Sequence, residues 1–593
     1  MLYFDIETNG LLDTTDKIHC ICTYDFATKK ATNYDPSCIS NGLKALQKAD
    51  ILVGHNIIGF DIPAIKKITG IDLMDKVCLD TLNIARLKFP HIFDLDLYHY
   101  RLENFKLRGK HSLKAWGTRL KCYKGTFGET TDWKYYTPKM LEYCAQDVQV
   151  GIRLFEYLKV DKLDSRSVAL EHDFQKIITR QEQEGCPFDL QKAETLLVQL
   201  KTDKIQVSQR IKQLIPDKMI EENFIPKVNN ITRGYKKGEV FVKRKAWVFN
   251  PGSRLQIGKY LIDKYKWEPI DFTTTGLPEV SEDVLDALPY EEAALFSQYL
   301  QTEKVLGFLS NGKNSWLKLV QPDGRIHGRV ITNGAITGRC THFNPNMAQI
   351  PSVRAYKGKE CRELFYAPEG KRFVGGDASG LELRCLAHYL HPYDNGEYAK
   401  VILEGDIHTF NQKAAGLETR DKAKTFIYAF IYGAGNEKLG FITAPTASIT
   451  AQEAIGKRLR AKFYSSIPAL ERLTNDVKST FKTRGYLVGL DGRHLYPRAQ
   501  HSALNTLLQS AGAIIMKKAT CIFWDRVKEA GLLENIKPAL HVHDEWQVIS
   551  DEKWADTTGR KIPLAIKEAG EYFSFNIPLT GEYKVGQNWA QTH

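Results

Sequence analysis

Apolar residues recur along this chain with two different periods, and the changes of period divide it. Leu2–Ile6 and Ile18–Tyr24 read as short strands, and Ile51–Val53 is a short apolar run that stops at Gly54. Helical patterns follow the later runs, so the first 150 residues predict an α/β unit. From about residue 158 to 308 the spacing becomes helical, most clearly over Leu190–Leu214. A polar stretch, Lys218–Trp247, interrupts it with eight Lys or Arg and three Glu. Turn residues Asn229, Asn230, Gly234 and Gly238 flank β-prone Val240–Val242 there, which predicts a basic loop or hairpin. Beyond Asp323, short strands, helices and glycine-marked turns alternate to the C-terminus. No apolar run approaches the ~18 residues of a membrane span, and Asp5 and Glu7 break the one N-terminal stretch that could pose as a signal peptide. Neither membrane insertion nor export is expected.

Length and composition widen the picture only a little. At about 150 residues per domain, 593 residues make room for about four units. With 43% apolar and 26% charged residues, the chain is neither a disordered tail nor a fibre. The excess of 82 Lys and Arg over 70 Asp and Glu, a net +12, points only weakly to a polyanionic partner. Eleven scattered cysteines without C-x-x-C pairs suit free thiols in a reducing compartment, and Cys20 and Cys22 read as core residues on a strand.

Candidate chemistry begins at residue 5. In Tyr3-Phe4-Asp5-Ile6-Glu7, alternation sends Asp5 and Glu7 to one side of the strand, with Phe4 and Ile6 toward the core. Alone, such a pair suits a solvated strand edge as well as a metal site. Asp61 follows Ile51–Val53 in His55-Asn56-Ile57-Ile58-Gly59-Phe60-Asp61, where open α/β sheets place ligands. Tyr143 and Asp147, four apart, share one face of a helix. In this order D-x-E, N-x-x-x-F-D and Y-x-x-x-D resemble the three motifs of DnaQ-like 3′-5′ exonucleases of the DEDDy type. Acids at this density repel one another unless cations neutralise them. The resemblance implies that Asp5, Glu7, Asp61 and Asp147 hold two Mg²⁺ ions, and that Tyr143 orients the attacking water.

A second constellation lies downstream. Val374-Gly375-Gly376-Asp377-Ala378 reads as a strand ending in an acid, followed by a turn into a helix carrying Glu382. Leu540–Val548 alternates as a hairpin whose tip presents His543 and Asp544. Between them, Arg420, Lys424, Tyr428 and Tyr432 advance only about 40° per step at helical spacing, so two cations and two aromatics line one face. That order suits a nucleoside triphosphate, although a helical stripe containing Tyr is ordinarily core.

These segments resemble motifs A, C and B of the family A, Pol I-like, DNA polymerases. The resemblance implies that Asp377, Asp544 and the carbonyl of Ala378 hold two Mg²⁺ ions, with Glu545 an accessory acid. It implies that Arg420, Lys424 and His408 bind the triphosphate, with Lys424 also protonating pyrophosphate. Tyr428 then packs beneath the sugar, Glu382 excludes a 2′-hydroxyl, and Tyr432 with Gly433 meets the templating base. Arg339, Asn346, Gln349 and Gln509 resemble minor-groove contacts, where equivalent acceptors let duplex shape be checked without reading sequence, and His543 faces DNA beside them.

The likeness covers nearly the whole chain and is greatest toward replicative polymerases of T-odd podoviruses. It implies an α/β multidomain fold: an RNase H-like exonuclease domain (1–160), a linker and helical thumb with a basic insertion near 218–247 (161–320), palm (321–389 and 490–593) and fingers (390–489). A motif at residue 5 leaves no room for a 5′-nuclease domain ahead of it. Implied partners are primer–template DNA, dNTPs and a replicative helicase–primase, in the cytoplasm of an infected bacterium. In relatives a long thumb insertion recruits thioredoxin; the stretch here is shorter. Lys236, Lys237, Lys243, Arg244 and Lys245 therefore suit a reduced loop for a thioredoxin-like processivity factor, a flap holding DNA directly, or a solvated hairpin. A single-subunit RNA polymerase shares the two palm acids but has no reason for an exonuclease, and Glu382 disfavours it. A non-enzymatic protein with decayed sites is opposed by the presence of every expected acid.

Overall fold

The computed structural model describes all residues except Ile270, Asp271, Thr274, Thr446 and His593, and the side chain of Lys243, one of the candidate DNA contacts, also lies outside the described set. The chain forms two compact units, one of Met1–Pro187, His327–Gln349 and Tyr366–His593, the other of Phe188–Ile326 and Ile350–Phe365.

In the larger unit, strands β1 (Leu2–Thr8), β2 (Ile18–Asp25), β3 (Lys30–Tyr34), β4 (Ile51–Gly54) and β5 (Val77–Asp80) form a sheet of order β3-β2-β1-β4-β5. β1 is its centre, antiparallel to β2 and parallel to β4. Both faces of β1 are covered, so the acids do not sit on a solvated edge. Phe4 and Ile6 pack among Leu46, Ile57 and Ile62, from helices α1 (Ile39–Lys48) and α2 (Asp61–Thr69) and the segment before α2. On the opposite face Tyr3 packs against Cys144 and Val148 of α3 (Pro138–Leu158). Pro138 suits the first turn of α3, where its missing N–H costs nothing. Gly151 permits the close approach of α3 to the sheet: a Cβ there would lie 1.8 Å from the Tyr3 hydroxyl oxygen. Burying each such large apolar side chain contributes roughly 1.5–3 kcal/mol.

Helix α4 (Ser165–Glu184) follows, capped by Asp164 through the Arg166 N–H. In the smaller unit α5 spans Leu190–Leu214, matching the sequence periodicity, and a core forms around Val207, Ile211, Ile257 and Phe296. The polar interruption is an antiparallel hairpin of β6 (Lys218–Phe224) and β7 (Phe241–Trp247).

The larger unit's second sheet is antiparallel, with β8 (Lys371–Ala378) between β10 (Glu545–Asp551) and β11 (Gly581–Gly586), and β9 (Ile536–Val542) beside β10. Helix α6 (Leu381–Asp394) leaves β8 directly, and α7 (Ile407–Ala415) and α8 (Arg420–Ile431) follow. The long α9 (Ala503–Glu529) buries residues on nearly every side, which explains why it shows no single apolar stripe. Every cysteine is a free thiol, and Cys20 and Cys22 are core residues. No described helix is long and apolar enough to cross a membrane.

Candidate active sites

The first site forms where α3 crosses the end of β1. Asp5 and Glu7 lie opposite Cys22 and Cys20 in the β1–β2 register. Asp61 opens α2, and its Oδ1 accepts the backbone N–H of Ile6 at 3.2 Å, which ties it between the two β1 acids. Asp80, absent from the sequence reading, shapes the preceding loop by accepting the N–H groups of Asn56 (2.9 Å) and Ile58 (3.1 Å). Tyr143 and Asp147 come from α3, as their four-residue spacing predicts. Ligand atoms of Asp5, Glu7 and Cys144 all lie within 4.8 Å of one another. Oδ1 of Asp147 is buried with no hydrogen-bond partner among the described residues.

Burial is the main electrostatic force here. It pushes the Asp5 carboxyl up to about 6 and that of Asp147 up to about 7, the latter helped by the charge of Asp5. Glu7 and Asp61 are raised well above the usual carboxylate range by burial and then by Asp5. The opposing charge is Lys124, ion-paired with Asp147, its Nζ 4.6 Å from the centre of the Tyr143 ring. Four clustered acids, three of them acted on by one ammonium, with an orphaned carboxylate oxygen, suit divalent cations. Sequence reasoning missed Lys124 because no local period relates it to residues 143 and 147.

The second site lies at one end of the antiparallel sheet. β9 and β10 are joined by the two-residue turn His543-Asp544, with His543 in the left-handed region (φ 57°) that such hairpins require. Ala378 N–H donates to the Asp544 carbonyl at 3.1 Å, so Asp377 and Asp544 occupy the same end of neighbouring strands. Asp377 lies opposite Glu545 on one side and Glu582 on the other, and Glu582 was not anticipated. The expected accessory acid Glu545 is buried, and its Oε1 accepts from Trp589 Nε1 and, at 2.7 Å, from Gln547 Nε2.

α8 presents the predicted stripe. Thr419 caps it through the Lys422 N–H, and Ala423, Phe426, Ile427 and Phe430 fill the buried face. Arg420 and Lys424 are exposed, Tyr428 is half-buried, and Tyr432 ends the helix before Gly433 at φ 79°. The Tyr432 hydroxyl donates to Glu382, which also accepts from Arg339 Nη2 at 3.3 Å. Burial raises the Tyr428 phenol, with the charges of Glu382 and Asp544 adding to it. His408 lies in the first turn of α7 with Nδ1 buried and unpartnered among the described residues. Arg339, His543, Asp544 and Lys517 line one pocket. Asn346 precedes and Gln349 ends a short 3₁₀ turn, and Gln509 is half-buried on α9. Lys517, also missed, is buried against Glu171 at 2.6 Å, and Glu171 additionally holds Arg493 at 2.7 Å.

In the smaller unit Lys236, Lys237, Arg244 and Lys245 are exposed on the hairpin. Lys236 pairs with Glu239 (3.5 Å) and Arg244 with Glu221 (2.9 Å), so part of the basic charge is answered locally.

Residues 229–591 match the family model described as DNA polymerase family A, and residues 2–159 match that of the RNase H superfamily. The DNA-directed DNA polymerases of Escherichia phage T7 and Enterobacteria phage T3 are each 35% identical to this chain, with the whole of both chains covered. Both alignments run over 713 positions, more than the residues of this chain. Among solved structures, the polymerase domain of Pol1 from M. smegmatis, described in complex with DNA primer-template and dNTP, superposes with a TM-score of 0.75 at 18% identity. That superposition covers 99% of this chain and 96% of the other.

Proposed function

The chain belongs to DNA polymerase family A, and from that premise we propose which residues carry its two activities. It is a replicative, template-directed DNA polymerase with an RNase H-like 3′-5′ exonuclease domain, acting on primer–template DNA and dNTPs with divalent metal ions. The assignment of the polymerase centre is supported by one observation: the 3.1 Å Ala378–Asp544 bond sets both exposed acids at one end of the sheet.

Asp377, Asp544 and the carbonyl of Ala378 are the ligands of two Mg²⁺ ions, and Asp5, Glu7, Asp61 and Asp147 of two more. Bound there, such ions supply Lewis acidity toward a 3′-hydroxyl, a water molecule or a phosphate oxygen. Arg420, Lys424 and His408 hold the triphosphate, and Lys424 gives a proton to the departing pyrophosphate. Tyr428 supports the sugar, Glu382 denies space to a 2′-hydroxyl, and Tyr432 meets the templating base once its bond to Glu382 is released. Arg339, Asn346, Gln349, Gln509 and His543 contact the duplex. Glu545 acts by keeping β10 and Trp589 in place behind Asp377. At the exonuclease centre Tyr143 orients the attacking water.

By this reading the exonuclease domain spans 1–160, the linker and thumb 161–320, the palm 321–389 and 490–593, and the fingers 390–489. The hairpin at 218–247 holds DNA through Lys236, Lys237, Lys243, Arg244 and Lys245 or receives a thioredoxin-like factor; processivity on primed circles with and without thioredoxin separates the two. The enzyme works beside a helicase–primase in the cytoplasm of the phage-infected cell.

Primer extension with Mg²⁺ tests the core of the proposal. Asp377→Ala should abolish extension and leave 3′-end degradation, and Asp5→Ala should do the reverse. Normal extension by Asp544→Ala would remove the palm assignment.

A further inference from the structure

The two helices that present the phosphate-binding candidates are joined by one carboxylate. Arg420 opens α8, and its guanidinium grips Asp406 as a fork, Nε to Oδ2 at 2.8 Å and Nη2 to Oδ1 at 3.3 Å. Asp406 is the N-cap of α7: Oδ1 accepts the His408 N–H at 3.0 Å and Oδ2 accepts the Thr409 hydroxyl at 2.8 Å. Each oxygen of Asp406 is therefore anchored to α7 by one bond and offered to α8 by another. The Arg420 fork holds the Asp406 carboxyl well below the usual carboxylate range, so it is ionised at any working pH.

The donors that Asp406 occupies are the edge of Arg420 that binds two phosphate oxygens best. We propose that Asp406 is the internal counterion of the triphosphate site: it competes with phosphate for Arg420 and takes the guanidinium back as pyrophosphate leaves. This rests on reading Arg420 as a phosphate ligand. The bonds to His408 and Thr409 keep Asp406 in place while Arg420 is engaged elsewhere, so the exchange needs only a side-chain movement. Its effect is larger on product than on substrate. A dNTP also has its base and sugar to hold it, whereas pyrophosphate has only phosphate-directed contacts, those of Arg420, Lys424 and His408 and of any cation held by Asp377 and Asp544. Asp406 is thus a positioning residue that weakens product retention and sets Arg420 for the next nucleotide.

Asp406→Asn isolates this role, because Asn caps a helix as well as Asp does but carries no charge. Pyrophosphate inhibition of primer extension should tighten by about threefold to fivefold, the modest size expected of an exposed pair, with a smaller fall in the dNTP KM. Exonuclease activity on single strands, measured on the same preparation, reports that the variant is folded. Arg420→Ala should weaken pyrophosphate inhibition and raise the dNTP KM, and Asp406→Asn placed on that background should add nothing. Unchanged or weaker pyrophosphate inhibition in Asp406→Asn, with Arg420→Ala behaving as stated, overturns the counterion role and leaves the phosphate site standing. An Arg420→Ala enzyme with normal pyrophosphate inhibition and KM overturns both.

Discussion

Replacing Lys124 by methionine keeps the side-chain stem and removes the positive charge that opposes Asp5, Glu7 and Asp147. The ammonium is ion-paired with Asp147, whose carboxylate is only 3% exposed, and its charge also acts on Asp5 and Glu7. Removing one partner of a buried pair costs roughly 3–5 kcal/mol, and the 22% exposure of Lys124 puts this pair toward the lower end. That cost falls on the metal-free protein, where Asp147 loses its partner. A divalent cation bound among the same acids restores the balance, so most of the cost is recovered on binding. A coupling of about 3 kcal/mol corresponds to roughly 100-fold in affinity, and screening by water reduces it, so Mn²⁺ should bind Lys124→Met some tenfold to 100-fold more tightly. The measurement is Mn²⁺ titration followed by electron paramagnetic resonance at pH 8, in a protein also carrying Asp377→Ala and Asp544→Ala so that only the exonuclease acids respond. Equal or weaker Mn²⁺ binding in Lys124→Met would refute the reasoning, since it would mean that the ammonium is not what the cation replaces.

Folded-state values near 6 for Asp5 and 7 for Asp147 lie above the ordinary carboxylate value, so folding favours their protonated forms. These acids therefore subtract stability from the metal-free protein as pH rises from about 4 through 7. The thermal shift produced by Mg²⁺ should grow between pH 5.5 and pH 8, and a shift independent of pH would contradict this. If Tyr428 supports the sugar, its hydroxyl can stand in for a missing 3′-hydroxyl beside the charged triphosphate, so Tyr428→Phe should raise discrimination against dideoxynucleotides by roughly 10-fold to 100-fold, the range of a hydrogen bond to a charged group, as read from competitive incorporation of ddNTP and dNTP. Glu545→Gln should lower the melting temperature while retaining more extension activity than Asp377→Ala, because its carboxylate bonds Trp589 and Gln547 inside the sheet. Loss of extension as complete as in Asp377→Ala, at unchanged stability, would return Glu545 to a direct catalytic role.

What could be read from the chain alone follows how far apart the cooperating residues stand. Asp5 and Glu7 declare themselves because a period of two places them on one face, and Arg420, Lys424, Tyr428 and Tyr432 because a helix does the same at every fourth residue. The burial of Ala423, Phe426, Ile427 and Phe430 on the opposite face of α8 follows from that phase. Strand β3 escaped because Lys30–Tyr34 is a polar edge, and β5 because four residues are too few to show a period. Residues that serve others were harder to see. Lys124 meets Asp147 across 23 positions, Asp80 reaches back 24 to Asn56, and Asp406 meets Arg420 from a different helix. Each pairing exists only after the chain has folded, and none imposes a local pattern. Glu545 directly follows Asp544 in sequence, yet its carboxylate is buried in the sheet and accepts from Trp589, near the far end of the chain, a partner that no local pattern announces. Local periodicity thus identifies groups that a strand end or a helix face presents together, such as Asp5 with Glu7 and Arg420 with Lys424. The counterions and anchors that tune those groups come from wherever the fold has a charge to spare, which is why Lys124 and Asp406 emerge only from three-dimensional geometry.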